Sequence, residues 1–166
     1  MLPLGHSLLL ILLLFASCYA VNYGYMYLQK DDRDEIDDKE LMNRVMGTIF
    51  TVFGSLKVIN LKGFAKIFAK YDLVSKHISI YGYMYPFIEI LLGVSFFYKD
   101  YRMKSYILTI ILMIVSLVGV FLSLGKGVSL RCGCLGSFFH VPLSYVTVSE
   151  NIVMLAMASY LLRSPL

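Results

Sequence analysis

Ser105–Gly125, SYILTIILMIVSLVGVFLSLG, runs for 21 residues without a charged side chain. At about 1.5 Å rise per residue, a helix of that length crosses the ~30 Å hydrocarbon layer of a bilayer, so the stretch predicts a membrane-spanning helix. The remaining composition agrees with it. The chain has 166 residues, enough for one domain, of which 58% are hydrophobic and only 16% charged. Its mean hydropathy is +0.73. Fifteen Lys plus Arg and eleven Asp plus Glu give a net charge of +4. So few charges cannot solvate the surface of a globule this size, which predicts an integral membrane protein. The basic residues are scattered in small loop groups, without the clustered patch and stacking platform of a nucleic-acid site, so nucleic-acid binding is excluded.

Upstream of Ser105, Lys99–Lys104 reads as a short basic turn and Ile78–Tyr98 as another span, with Glu89 near its middle. Lys62, Lys66 and Lys70 lie at i, i+4 and i+8 within 61–77, with Phe64, Phe68 and Tyr71 on another face. This pattern predicts an amphipathic helix lying in the membrane interface. Leu41–Asn60 is a further span in which Arg44 and Lys57, near its ends, can snorkel to the interface. On it, Gly47, Thr51, Gly54 and Val58 form a small-residue stripe suited to close helix packing. Lys30–Glu40, KDDRDEIDDKE, is an aqueous loop with no glycine to converge its carboxylates on a divalent cation. Met1–Gln29 carries no Asp, Glu, Lys or Arg and is read as a retained helix. A cleaved signal or lipoprotein segment is disfavoured because a basic start is missing. Downstream, Gly and Pro break the helix over 125–144, and Tyr145–Leu162 is the last span. The Lys and Arg of the loops divide almost evenly between the two sides, so they set no orientation.

The long loop carries the sharpest chemical signal, Arg131-Cys132-Gly133-Cys134. Two thiols so close can form a strained, easily reduced disulfide or clamp one soft metal ion, and Arg131 favours the thiolate that either role needs. The plainer reading is two small apolar residues packed in a loop. An ionised Glu89 inside a span costs roughly 2 to 3 kcal/mol or more without a partner, for which Arg44 and Lys57 are the candidates. Tyr81 and Tyr85 precede it on the same face, and Gly93 follows. A register-fixing ion pair and a proton-handling or ligand site fit that pattern equally. The nine methionines do not cluster and read as filler. Cys18 has no obvious partner, and His77 and His140 are lone loop residues.

Arg44, Gly47, Gly54 and Lys57, then Lys70-Tyr71-Asp72-Leu73, then Tyr85-Pro86-Phe87 with Glu89 and Gly93, then CGCLG, and finally Glu150-Asn151 form a series. It resembles the MauE and DoxX-like membrane proteins over Leu41–Leu162. The resemblance implies a four-helix membrane bundle associated with redox handling of cysteine-containing proteins, its methylamine-utilisation member being linked to maturation of a disulfide-rich periplasmic enzyme subunit. It implies that Cys132 and Cys134 are the redox pair and that Arg44 and Glu89 are polar positions inside the bundle. Leu135 stands where the methylamine member tends to have Phe, and the first span and acidic loop fall outside the four-helix pattern.

The expected fold is therefore an all-α integral membrane protein. It has an N-terminal apolar helix over 1–28, an acidic loop over 29–40, and a MauE/DoxX-like four-helix bundle over 41–162 with one interfacial helix. Its polar bundle positions are Arg44, Lys57, Tyr85, Glu89, Glu150 and Asn151. The first expected function is thiol and disulfide exchange through Cys132 and Cys134 with a thiol-containing or thioredoxin-like partner, in a bacterial inner (plasma) membrane crossed several times. The second is binding or transfer of a soft metal ion, Cu(I) or Hg(II), by the same thiolates. A scaffold with no thiol chemistry is the third.

Overall fold

The computed structural model describes residues 4–29, 36–125 and 143–163, and over these the chain is all helical. The elements are α1 (Leu4–Gln29), α2 (Asp38–Ile59), α3 (Leu61–Phe68), α4 (Ser79–Ser95), α5 (Arg102–Gly125) and α6 (Leu143–Arg163), with a 3-10 turn at Lys99–Tyr101 before α5. Asp37 caps α2 by accepting the Lys39 amide, so the end of the acidic run belongs to the helix.

The bundle is built from two antiparallel pairs, α2 with α4 and α5 with α6. The small-residue stripe of α2 does what its spacing predicts. A Cβ on Gly47 would lie 2.8 Å from the Gly93 carbonyl oxygen, and one on Gly54 would lie 2.9 Å from that of Pro86. Backbone therefore meets backbone, and any larger side chain would push the helices apart. This register sets Thr51 against Gly93 as well. In the second pair, Asn151 of α6 donates to Ser116 Oγ of α5 at 2.8 Å. The pairs join at one end through the Tyr106 hydroxyl, which donates to Asn43 Oδ1 at 2.8 Å. At the other end, Gly119 admits the Tyr71 carbonyl. Helix α1 lies outside on α2, with Asn22 donating to Thr48 Oγ1 at 3.0 Å and Phe15 against Phe53.

Two ends of the bundle follow. One holds the N-termini of α2 and α5 and the C-termini of α4 and α6. The opposite end holds α3, the turns of 69–78, and the helix termini from which 126–142 departs. That end is closed by α3, bent 103° from α2 at Asn60. The Asn60 side chain caps the new helix by accepting the Gly63 amide at 3.0 Å.

The expected helix over 61–77 is corrected here: α3 stops at Phe68. Asp72 Oδ1 takes the amides of Val74 and Ser75, at 3.0 and 2.7 Å, giving the backbone turns in place of further helix. Nor do Phe64 and Phe68 face outward for lipid. Both are buried in the bundle, because their aromatic area is better covered by Tyr85 and Tyr71 than left at an interface.

Polar side chains are buried among the apolar core, and large apolar side chains line the outside. Asn43, Lys57, Glu89, Thr109, Ser116, Glu150 and Asn151 are buried, while Ile80, Met84, Leu91, Ile107, Ile111, Phe121 and Ile152 are exposed. Continuous apolar cover of this kind marks contact with something other than water. Among the described residues, one helical stretch, Lys99–Ser123, is by itself long and apolar enough to cross a membrane, and the bent α2–α3 pair would add a second if taken as one span.

Candidate functional site

Burying a charge requires a partner, and the bundle supplies one for Glu89. Lys57, in the last turn of α2, places its Nζ 2.5 Å from Oε1 and 2.6 Å from Oε2 of Glu89 on α4. Glu89 is 2% exposed and Lys57 4%. The expectation that Lys57 snorkels to the interface is therefore corrected. The α2–α4 register brings Lys57 within a turn of Glu89, and the ammonium gains more from a buried carboxylate than from reaching outward. Two rings complete its surroundings, with Phe64 of α3 centred 5.6 Å from Nζ and Tyr85 of α4 centred 5.4 Å away. The Tyr85 phenol lies within hydrogen-bonding reach of the Glu89 carboxylate. Phe68, Tyr71 and Tyr81 pack behind these rings.

Glu150, Asn151 and Ser116 close the site from the α5–α6 side. Together with Lys57, Glu89, Tyr71, Tyr85, Phe64 and Phe68 they line a cavity of about 10 Å³. That is at the lower limit for one water molecule, with polar partners on several sides. The site thus gathers one ammonium, two carboxyl groups, an amide, a hydroxyl and phenols from all four core helices and the turn after α3, with two phenyl rings of α3 beside them. It is too small for an organic ligand. Such a set can hold a water, carry a proton between carboxyl groups, and lock the register of the two helix pairs.

Of the polar positions read from the sequence, the structure brings together Lys57, Tyr85, Glu89, Glu150 and Asn151. Arg44 is not among them. It lies 13 positions before Lys57 on α2, roughly 20 Å along the helix, and its Nε pairs with Glu40 Oε1 at 3.1 Å while its guanidinium stacks over Tyr25. Arg102 Nη1 meets the other Glu40 oxygen at 2.7 Å, and its Nε donates to the Phe96 carbonyl at 3.0 Å. This second cluster ties α2 to the start of α5 at the far end. Reading Glu40 as loop and Arg102 as turn concealed it, although Glu40 and Arg44 stand at the i, i+4 spacing of a helical ion pair. Tyr71 and Ser116 were also missed as site residues, since neither stands out until the helices are docked.

Cys132, Cys134 and His140 lie outside the described residues. Cys18, half-buried on α1, is a free thiol. Met46, Met113 and Met154 are core residues. Among the described residues, no group of three or more His, Cys, Asp or Glu is placed to hold a metal ion.

A helical chain with many exposed apolar side chains and a buried charge pair between its helices defines a class, the helical bundle with an ion-paired core. The chain belongs to the MauE family: the family described as methylamine utilisation protein MauE matches residues 40–164. This family is membrane-associated. The match begins at Glu40, so the four core helices and α3 lie within it and α1 lies outside. Comparison with curated proteins gives no match, and comparison with solved structures gives none either.

Proposed function

We propose that this chain is a multi-pass membrane protein that exchanges thiols and disulfides with a cysteine-containing partner protein, supporting its maturation. The observation that carries the reading is the pair Cys132 and Cys134 in a MauE-family chain, within the segment joining α5 to α6. That segment departs from the bundle end nearer the Lys57–Glu89 pair. The exposed Leu, Ile and Phe of α4, α5 and α6 support a bilayer around the four core helices, and a bacterial plasma membrane is the proposed location. Helix α3, turned across the bundle end, would then lie at the membrane surface.

The exchange balances within the two proteins. One cysteine thiolate attacks a partner disulfide, expelling a partner thiolate and forming a mixed disulfide. The second cysteine then attacks that bond. The chain's dithiol becomes a disulfide as the partner's disulfide becomes a dithiol, with two electrons transferred. A thioredoxin-like dithiol restores the starting state by the same exchange. The run in reverse introduces a disulfide into the partner. The buried ion pair takes no electrons; it holds the helices that anchor the segment.

Alkylation of the protein in cells with a maleimide of measurable mass, with and without reductant, tests the reading. Mass gain at Cys132 and Cys134 only after reduction supports it. Protection relieved by a soft-metal chelator would transfer the pair to Cu(I) or Hg(II) binding. Equal, unprotected labelling under every condition would defeat both.

A further inference from the structure

Charge is distributed unequally between the two bundle ends. Between Lys57 and Glu89 the sequence has one carboxylate, Asp72, and between Asp100 and Glu150 it has none. Asp72, Glu89 and Glu150 are all buried. Lys62, Lys66, Lys70 and Lys76 are exposed. Among the described residues, every exposed side chain of fixed charge at the α3 end is therefore a lysine. The other end mixes both signs, with Asp38, Lys39, Asp100, Lys104 and Arg163 all exposed or half-exposed.

Phe64 and Phe68, which would have inserted into lipid had α3 lain on the bilayer as a separate amphipathic helix, are spent on the bundle core. With Phe64 and Phe68 covered, α3 presents Lys62 and Lys66 outward beside the half-exposed Leu61 and Ile67, and the segment holding Cys132 and Cys134 leaves the bundle from this same end. We infer that the α3 end is a docking surface for an acidic polypeptide, namely the carboxylate-rich face of the protein whose thiols are exchanged. Like-signed charge at the end from which the cysteine segment leaves would raise the local concentration of an acidic partner and speed encounter without adding contacts at the cysteines. The inference rests on the thiol-exchange reading for what the docked partner is for, but not for whether an acidic chain binds.

The test uses the full chain in phosphatidylcholine nanodiscs and two sets of peptides of one length, flanked by glutamates, glutamines or lysines. Cysteine-free peptides measure binding by fluorescence anisotropy, and their disulfide-linked counterparts measure exchange with the reduced protein. The glutamate peptide should bind at least about tenfold more tightly than the glutamine peptide at low ionic strength, with the advantage collapsing in high salt. Lys62→Gln, Lys66→Gln, Lys70→Gln and Lys76→Gln together should abolish that preference and leave exchange with the glutamine peptide unchanged. Equal binding of acidic and neutral peptides overturns the inference, as does a preference that survives the fourfold substitution. Loss of binding when phosphatidylglycerol is added overturns it too, because the lysines then belong to lipid headgroups. Acidic preference without exchange by any disulfide peptide leaves the docking surface standing and removes the thiol reading instead.

Discussion

At the scale of single residues, the Lys57–Glu89 pair decides most. A buried pair is nearly neutral against a well-packed apolar replacement, yet removal of one member strands the other. Glu89→Ala should therefore cost about 3 to 5 kcal/mol in detergent-solubilised protein. Lys57→Met with Glu89→Leu should recover most of that loss, and thermal unfolding of the three proteins measures both effects. If the single and double variants unfold alike, the ammonium is not confined by this carboxylate. Asp72 gives a pH-dependent test outside the core helices. Burial raises its carboxyl above the usual range, against the lowering effect of the Ser75 and Val74 amides. The folded chain thus binds this proton more tightly than the unfolded chain. Stability should fall as pH rises from the ordinary carboxylate value, about 3.9, through the raised folded value, and be fully regained below both. Asp72→Asn keeps an oxygen for the two amides and should remove that slope from a pH series of unfolding midpoints. An unchanged slope would assign it to another group.

At the scale of elements, the α2–α4 crossing depends on missing side chains. Gly54→Leu would drive a branched side chain into the Pro86 carbonyl and Ile90, so a loss of about 1 to 3 kcal/mol or more is expected, read as a lowered unfolding temperature. The same change at Gly24 of α1, where a Cβ would meet nothing within 4 Å, should be tolerated. The contrast separates a packing cost from a helix-propensity gain. Helix positions were legible in advance because apolar runs are long and charges interrupt them: the expected span at Tyr145–Leu162 becomes α6 at Leu143–Arg163. The end of α3 was not legible, since Lys62, Lys66, Lys70 and their aromatics keep helical spacing past Phe68. Past Phe68 the backbone goes over to turns, and Asp72 takes the amides of Val74 and Ser75 in place of further helix. Glu89 could be singled out from cost alone, and Lys57 and Arg44 were both plausible partners. Choosing between them requires the register set by Gly47 against Gly93, which is a property of two docked helices.

Over the whole molecule, the pattern is an apolar and aromatic core holding a buried ion pair, an outer surface rich in exposed apolar side chains, and a basic end from which the cysteine segment leaves. Helix α1 packs on the outside of the MauE-family region, so removing residues up to 35 should leave the Lys57–Glu89 bundle folded, with Thr48 and Phe53 newly exposed. Retained helicity with a modestly lower unfolding temperature is the expected result, and outright loss of the fold would make α1 part of the core. Thiol exchange requires the two sulfurs to act as a couple, which a redox titration of the full chain against a graded thiol–disulfide buffer measures. Cys132 and Cys134 are expected to oxidise together in one two-electron transition, within the range of partner-exchanging dithiols. Thiols that stay reduced across the whole range, or that titrate independently of each other, would contradict the account.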